Sequence, residues 1–171
     1  MDARINIKIF LKTVILFPLF MIFIMFPLCL LIVITAFVPK GRVLATKLYE
    51  FFGWIGIVLV GVELNVIGAE KIDTKKSYVV IGNHPSTLDI FTHITALPVS
   101  IRFLTKTELF RIPIFGRVLK TLGLPRIDRK NAKANFEKIN DSINQVIKLG
   151  NSIMIFPEGK RSNQKELLPF K

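Results

Sequence analysis

The chain has 171 residues, of which 51% are apolar and 21% are charged. This length suits one catalytic-sized unit rather than two full domains, and the hydrophobicity excludes an intrinsically disordered protein. The 24 Lys and Arg residues outnumber the 12 Asp and Glu residues, and the net charge of +12 favours anionic partners such as phospholipid headgroups or phosphorylated metabolites. Because Cys29 is the single cysteine, an intramolecular disulfide and a Cys-rich metal site are both excluded.

An uncharged apolar segment occupies residues 14–38. It is apolar on every side, and as a helix it would reach about 37 Å, enough to cross the roughly 30 Å hydrocarbon core. A single tilted span is therefore expected first. Pro18 and Pro27 each remove a backbone donor and tend to kink a helix, which leaves a re-entrant hairpin as the alternative. The basic residues on its two sides are equal in number and leave the orientation open. A cleaved signal peptide is disfavoured because the segment is too long and lacks a small-x-small cleavage site.

A second apolar stretch, residues 51–62, is too short to cross a bilayer. Trp54 and the nearby Tyr49 would suit the headgroup level, so an interfacial helix and packing into the core of the following domain are equally open. We therefore predict membrane-associating helices in residues 1–62 and a catalytic domain in residues 63–171.

From residue 63 onward, short β-rich runs alternate with helical ones, which is the pattern of an α/β domain. The last predicted helix, residues 131–149, has a single apolar stripe and ends before Gly150. Strands are predicted at residues 62–68, 77–83, 100–104 and 152–156, and helices at residues 87–97 and 131–149.

The sequence NHPSTLD, residues 83–89, follows a predicted buried strand. Pro85 favours an extended conformation at His84 and a helix start after it, which would let His84 and Asp89 meet. An aspartate that accepts from one ring nitrogen leaves the other nitrogen free to take a proton, so the pair is a candidate general base with its orienting carboxylate. The residues alone also allow a structural histidine at a strand end, or Ser86 as a nucleophile, although no G-x-S-x-G sequence surrounds Ser86.

The sequence FPEGKRS, residues 156–162, follows the last predicted strand. Glu158 supplies an acceptor, and Gly159 allows close approach to the backbone. Lys160 and Arg161 supply cations suited to phosphate. Taken alone, these residues would also suit a solvated surface turn.

Three motifs, in their order and spacing, resemble those of the 1-acylglycerol-3-phosphate acyltransferases, within the wider glycerolipid acyltransferase superfamily. NHPSTLD is similar to the family block NHxSxxD, FPEGKRS to FPEGTRS, and residues 106–129 to KxELxxxPxxG…G…IDR. The resemblance covers residues 60–171 and implies a mixed or parallel sheet flanked by helices, behind an N-terminal membrane-associating segment. Because the family continues into a fourth block where this chain reads LLPFK, the catalytic domain is expected to be truncated at its C-terminus.

The resemblance also implies a reaction. His84 would deprotonate the free hydroxyl of lysophosphatidic acid, and Asp89 would orient His84. The acyl donor would be acyl-CoA or acyl carrier protein. No cofactor and no metal would be needed. The product, phosphatidic acid, would form at the cytosolic face of a membrane, expected to be a bacterial inner membrane. The residues to which the resemblance gives a substrate-binding role are Asn83, Lys106, Arg129, Glu158, Gly159 and Arg161.

Two alternatives stay open, namely acylation of another lysolipid by the same base and an inactive, truncated remnant that binds anionic membranes. Residues 106–171 carry 14 Lys and Arg residues against 6 Asp and Glu residues, which can serve phosphate recognition or attraction to anionic lipid. Nucleic acid is not an expected partner, because no binding motif is recognisable and the apolar N-terminus favours lipid.

Overall fold

The structure, a computed structural model, describes residues 14–15, 17–128, 134–162 and 167–170. A π-helical turn, Met21–Met25, lies directly before the α-helix that begins at Phe26, and short 3-10 helices cover Ala69–Lys71 and Thr107–Arg111. The described strands are β1 Val79–Ile81, β2 Ile101–Phe103, β3 Thr105–Lys106, β4 Arg126–Ile127 and β5 Ser152–Ile155. The described α-helices are α1 Phe17–Phe20, α2 Phe26–Thr35, α3 Gly41–Val60, α4 Asp89–Ala96, α5 Phe115–Thr121 and α6 Phe136–Lys148.

The central sheet has three parallel strands in the order β1-β5-β2, and β3 pairs in parallel with β4. Parallel neighbours need long crossover connections, and the helices α4 and α6 lie on these connections. The middle strand, β5, is largely buried, with Ile153 and Met154 almost fully covered. The predicted α/β fold, a parallel sheet flanked by helices, is confirmed.

The sheet determines which segments meet. Because β1 and β5 are parallel neighbours, the segments that follow them leave the same edge, where open α/β sheets bind their ligands. The Gly82 amide donates to the Ile155 carbonyl over 3.2 Å, and the Ser162 amide donates to the His84 carbonyl over 3.1 Å. These bonds hold the two motif-bearing segments side by side.

Two expectations about secondary structure differ from the structure. The strand predicted at residues 62–68 is wrong, because residues 62–67 have no regular structure and Ile67 is largely exposed. Strand-forming residues need a partner strand as well as propensity, and no described strand pairs with this segment. Residues 51–60 of the second apolar stretch are the second half of a longer helix, α3, which begins at Gly41 and ends at Val60. The expectation of a helix too short to cross a bilayer is therefore wrong for α3 by length and composition.

The N-terminal helices carry much of the exposed apolar surface. Two helical segments, Pro18–Thr35 and Gly41–Val60, are long and apolar enough to cross a membrane by length and composition. Each helix also buries one face: Leu28 and Tyr49 join the core cluster that includes Met154 of the sheet. One hydrophobic core therefore runs from these helices into the α/β part, and the division of the chain at residue 62 stays a prediction.

Helix α3 approaches helix α4 closely because two glycines of α3 face it. A Cβ atom on Gly53 would overlap the side chain of Ile94, and a Cβ atom on Gly56 would overlap the ring of Phe91. The same two helices share a tilted ring contact between Phe52 and Phe91, with centroids 4.8 Å apart. Helix α4 begins with Asp89, so this contact fixes helix α3 against the helix that carries the candidate site.

We predict that Gly56→Ala destabilises the protein. Helix propensity alone would make alanine better than glycine by about 1 kcal/mol, whereas overpacking a tight interface costs about 1–3 kcal/mol. We therefore expect a lower melting temperature in detergent micelles, measured by circular dichroism. Val58→Ala, on the exposed face of the same helix, is the matched control and should change the melting temperature little. A higher melting temperature for Gly56→Ala would contradict the close packing.

Candidate active site

His84 and Asp89 form a hydrogen-bonded pair. His84 lies in the turn after β1, Asp89 is the first residue of α4, and Nδ1 of the ring lies 2.8 Å from Oδ2 of the carboxylate. Because an ionised carboxylate only accepts, Nδ1 carries the proton and Nε2 is the nitrogen that can take one. The contact predicted from the sequence is present, and its catalytic role is taken up below.

The turn between them is built by Ser86. Its amide donates to the same Asp89 Oδ2 over 2.9 Å, and its hydroxyl accepts from the Leu88 amide over 3.1 Å. Reciprocal bonds of this kind satisfy the unpaired amides at a helix N-terminus. Ser86, which the sequence left open as a nucleophile, is therefore part of the turn that presents Asp89.

The ring of Phe156 covers one face of the His84 imidazole. The two rings are stacked, with centroids 4.1 Å apart and planes 9° from parallel. Phe156 in turn contacts Phe103 at 5.8 Å and the edge of His93 at 5.5 Å. This apolar packing limits rotation of the imidazole. Phe156 was not among the site residues predicted from the sequence, although it is the first residue of FPEGKRS and follows β5 directly.

A guanidinium group reaches across to the turn of His84. Arg161 Nη1 donates to the Thr87 hydroxyl, and the side chain of Arg161 is otherwise exposed. This bond and the Ser162 bond to the His84 carbonyl join the first and third motifs. Thr87 was also missed, because nothing local in the sequence links it to a residue 74 positions away.

Glu158 and Gly159 lie beneath this surface. Glu158 is only 4% exposed, and its Oε2 accepts from the Leu168 amide over 3.0 Å. Gly159 is buried with a φ of 68°, a left-handed conformation that favours glycine. Both residues shape the loop that carries Arg161, and direct contact with a substrate stays a prediction for each.

Three further predicted residues have different placements. Asn83 is exposed and directly precedes His84. Lys106 is exposed on β3, opposite Ile127 of β4, and none of the described contacts joins it to His84 or Asp89. Arg129 lies outside the described residues. The binding roles of all three stay predictions.

The second histidine does not extend the pair into a metal site. His93 Nδ1 lies 2.6 Å from the Asp89 carbonyl oxygen, within its own helix. Across the described ranges, no group of three His, Cys, Asp or Glu side chains could hold a metal ion. The expectation of a reaction without metal or cofactor stays a prediction.

With this geometry established, comparisons with known proteins identify the family. The acyltransferase family profile matches residues 63–171. The chain belongs to this acyltransferase family. Over 134 residues it is 34% identical to a 1-acyl-sn-glycerol-3-phosphate acyltransferase of Cocos nucifera, covering 78% of this chain and 43% of that protein. Over 116 residues it is 34% identical to the Saccharomyces cerevisiae protein of the same name, covering 67% of this chain and 38% of the relative.

The fold also matches a solved acyltransferase. The crystal structure of the 1-acyl-sn-glycerophosphate (LPA) acyltransferase PlsC from Thermotoga maritima has a TM-score of 0.62 and 26% identity, covering 82% of this chain and 56% of that chain. The predicted family and its fold are confirmed. The chain spans less than half the length of the two curated relatives above.

We predict that Glu158→Ala loosens the segment of residues 167–170. The substitution leaves the Leu168 amide without its described acceptor in a partly buried bond, and a typical hydrogen bond contributes about 0.5–1.5 kcal/mol. Amide hydrogen exchange should therefore become faster at Leu168. Glu137→Ala removes an exposed carboxylate at the start of α6 and should leave that exchange rate unchanged. Unchanged exchange at Leu168 in Glu158→Ala would show that the carboxylate does not hold the segment.

Proposed function

We propose that this domain transfers an acyl group from a thioester to the free hydroxyl of 1-acylglycerol-3-phosphate, giving phosphatidic acid. The observation that carries the proposal is the 2.8 Å bond between His84 and Asp89 in a turn that Arg161 also contacts. A base and a phosphate-seeking cation therefore lie at one edge of the sheet. The names of the relatives from Cocos nucifera and Saccharomyces cerevisiae support this acceptor.

The pair supplies general-base chemistry. Nε2 of His84 takes the proton of the acceptor hydroxyl, and the oxygen attacks the thioester carbonyl carbon as a new C–O bond forms. The tetrahedral intermediate then breaks its C–S bond, and the departing thiolate takes the proton back from the imidazolium. Asp89 stabilises the transient positive charge on the ring and keeps Nδ1 as the donor. Ester and thiol are the products, and the histidine returns to its starting state.

Arg161 supports recognition of the phosphate. A lysophosphatidic acid carries a phosphomonoester, and guanidinium groups bind such oxygens with charge-assisted hydrogen bonds. The bond to Thr87 restrains the side chain beside the turn that presents His84. A phosphate held there would bring the adjacent glycerol hydroxyl towards His84. The rate would rise because the hydroxyl is oriented for reaction, without any change in its intrinsic reactivity.

The membrane is the source of the acceptor. Along most of its length, from Ala45 to Ile57, helix α3 has buried residues and packs against α4 and the rest of the domain. A helix crossing the bilayer would have lipid or other apolar helices around its middle instead. We therefore infer that the α2–α3 hairpin lies within one leaflet, with the exposed apolar side chains in lipid: Phe23, Phe26, Leu31, Ile34, Phe51, Trp54 and Val58. A cytosolic orientation and the bacterial inner membrane stay predictions.

Replacing the base tests the reaction directly. We expect His84→Ala to lower turnover about 10²- to 10⁴-fold, the usual contribution of a general base. The assay is transfer of a labelled acyl group to lysophosphatidic acid, with acyl-CoA and acyl carrier protein as alternative donors. His93→Gln is the matched control, since His93 bonds the carbonyl of its own helix, and it should keep most of the activity. Full activity in His84→Ala would disprove the base role.

The role of the arginine is tested through its anchor. We expect Thr87→Val to raise KM for lysophosphatidic acid about tenfold with little change in kcat, because the loss of one hydrogen bond to a charged group costs about 1.5 kcal/mol. Thr87→Ser keeps the hydroxyl and should restore KM. With monoacylglycerol, which lacks the phosphate, Thr87→Val should match the wild type. An equal loss with both acceptors would show that Thr87 acts on the fold rather than on phosphate recognition.

A further inference from the structure

A cavity with a volume of about 1250 Å³ lies apart from the pair of His84 and Asp89. It is bordered by the first turns of α3, the end of α5, β4 and helix α6. None of its lining residues belongs to the motifs at residues 83–89 and 156–162. The proposed acyl transfer therefore makes no use of it.

The cavity is on the opposite face of the sheet from the candidate active site. Phe103 packs against Phe156, which stacks on His84. Successive side chains of a strand point to opposite faces, so Arg102, the neighbour of Phe103 on β2, points away from that site. Because Arg102 lines the cavity, the cavity lies on the face of the sheet opposite the candidate active site.

The lining is strongly basic. Among the lining residues that the structure describes, seven are Lys or Arg, and Glu50 is the one acidic residue. Lys47, Lys120 and Lys138 are exposed at the rim, whereas Arg102 is buried. A concave site with this excess of positive charge concentrates anions.

Arg102 is a buried cation whose described partners are neutral. It is 2% exposed and donates to the Leu122 carbonyl, the Ser100 hydroxyl, the Ile101 carbonyl and the Thr46 hydroxyl. Burial lowers the pKa of its guanidinium, and Tyr49 and Glu50 oppose that shift. In the described part of the chain, no carboxylate forms a salt bridge with it. Glu50 is the countercharge described near Arg102, and an anion bound in the cavity would add to it.

The cavity opens beside the membrane-associating hairpin. Val43, which is 61% exposed, lines it, and Phe37 in the turn between α2 and α3 is 85% exposed. Apolar side chains that enter lipid place neighbouring cations at the depth of the headgroups, where each Lys or Arg is attracted to anionic lipid. The mouth of the cavity would then face the phosphate layer of the bilayer.

We propose that this cavity binds the phosphate headgroup of an anionic membrane phospholipid, at a site separate from that of the acceptor lysolipid. The inference rests on the leaflet placement given under the proposed function. The negative charge of a bound headgroup would offset part of the excess positive charge of the lining. The bound headgroup would also fix the tilt of the domain relative to the membrane. The site of His84 lies on the other face of the sheet and is separate from the bound headgroup.

The test is a titration of the full chain in neutral detergent micelles, in which calorimetry measures the binding of each probe. The probes are short-chain phosphatidylglycerol, short-chain phosphatidylcholine and inorganic phosphate. The variant Lys47→Gln/Lys120→Gln/Lys138→Gln removes three rim charges. The matched control, Lys71→Gln/Lys75→Gln/Lys76→Gln, removes three exposed charges outside the cavity. Circular dichroism establishes that both variants are folded.

We expect saturable binding of phosphatidylglycerol, weakened about tenfold or more in the rim variant and unchanged in the control variant and in His84→Ala. Equal weakening in both lysine variants would overturn the proposal in favour of general surface charge. Inorganic phosphate binding as tightly as phosphatidylglycerol would overturn the lipid assignment, as would equal binding of phosphatidylcholine. Acyl transfer is assayed separately. Intact transfer without binding of phosphatidylglycerol would refute this inference alone. Binding of phosphatidylglycerol without acyl transfer would refute only the proposed function.

Discussion

The candidate site depends on the satisfaction of one buried carboxylate. Asp89 is 7% exposed, and a carboxylate in that position is stable only when donors surround it. Its Oδ2 accepts from the Ser86 amide and lies beside Nδ1 of His84, and it stands at the N-terminus of α4, where negative charge is favoured. Because the Ser86 amide and the His84 ring bond the same oxygen atom, the imidazole has its position and its tautomer set together.

The second constraint is the order of the strands. Since β5 lies between β1 and β2, the segment after β5 leaves the sheet directly beside the turn of His84. That adjacency lets Phe156 stack on the imidazole and lets Arg161 reach Thr87. The candidate pair of His84 and Asp89, its apolar support and the cation proposed to bind phosphate thus come from two strand ends that are distant in sequence. The same alternation along β2 sends Phe103 towards this site and Arg102 to the basic cavity behind it.

Local features were predictable from the sequence, and long-range ones were not. The pairing of His84 with Asp89 could be predicted because five residues with Pro85 between them leave few geometries. The helix predicted at residues 131–149 was found from Phe136 onward, since its apolar stripe is periodic; residues 131–133 lie outside the described ranges. The contact of Phe156 with His84 required the strand order, which no local pattern contains. The false strand at residues 62–68 failed for the same reason, because propensity does not supply a pairing partner.

The most direct test of this account is the tautomer of His84 in the intact protein, measured from the ¹⁵N chemical shifts of labelled histidine at a pH where the ring is neutral. The account predicts a proton on Nδ1, bonded to Asp89, with Nε2 unprotonated and ready to accept one. It also predicts that this preference is lost in Asp89→Ala. A neutral ring with its proton on Nε2 would contradict the account, because the nitrogen assigned to the acceptor hydroxyl could not act as a base.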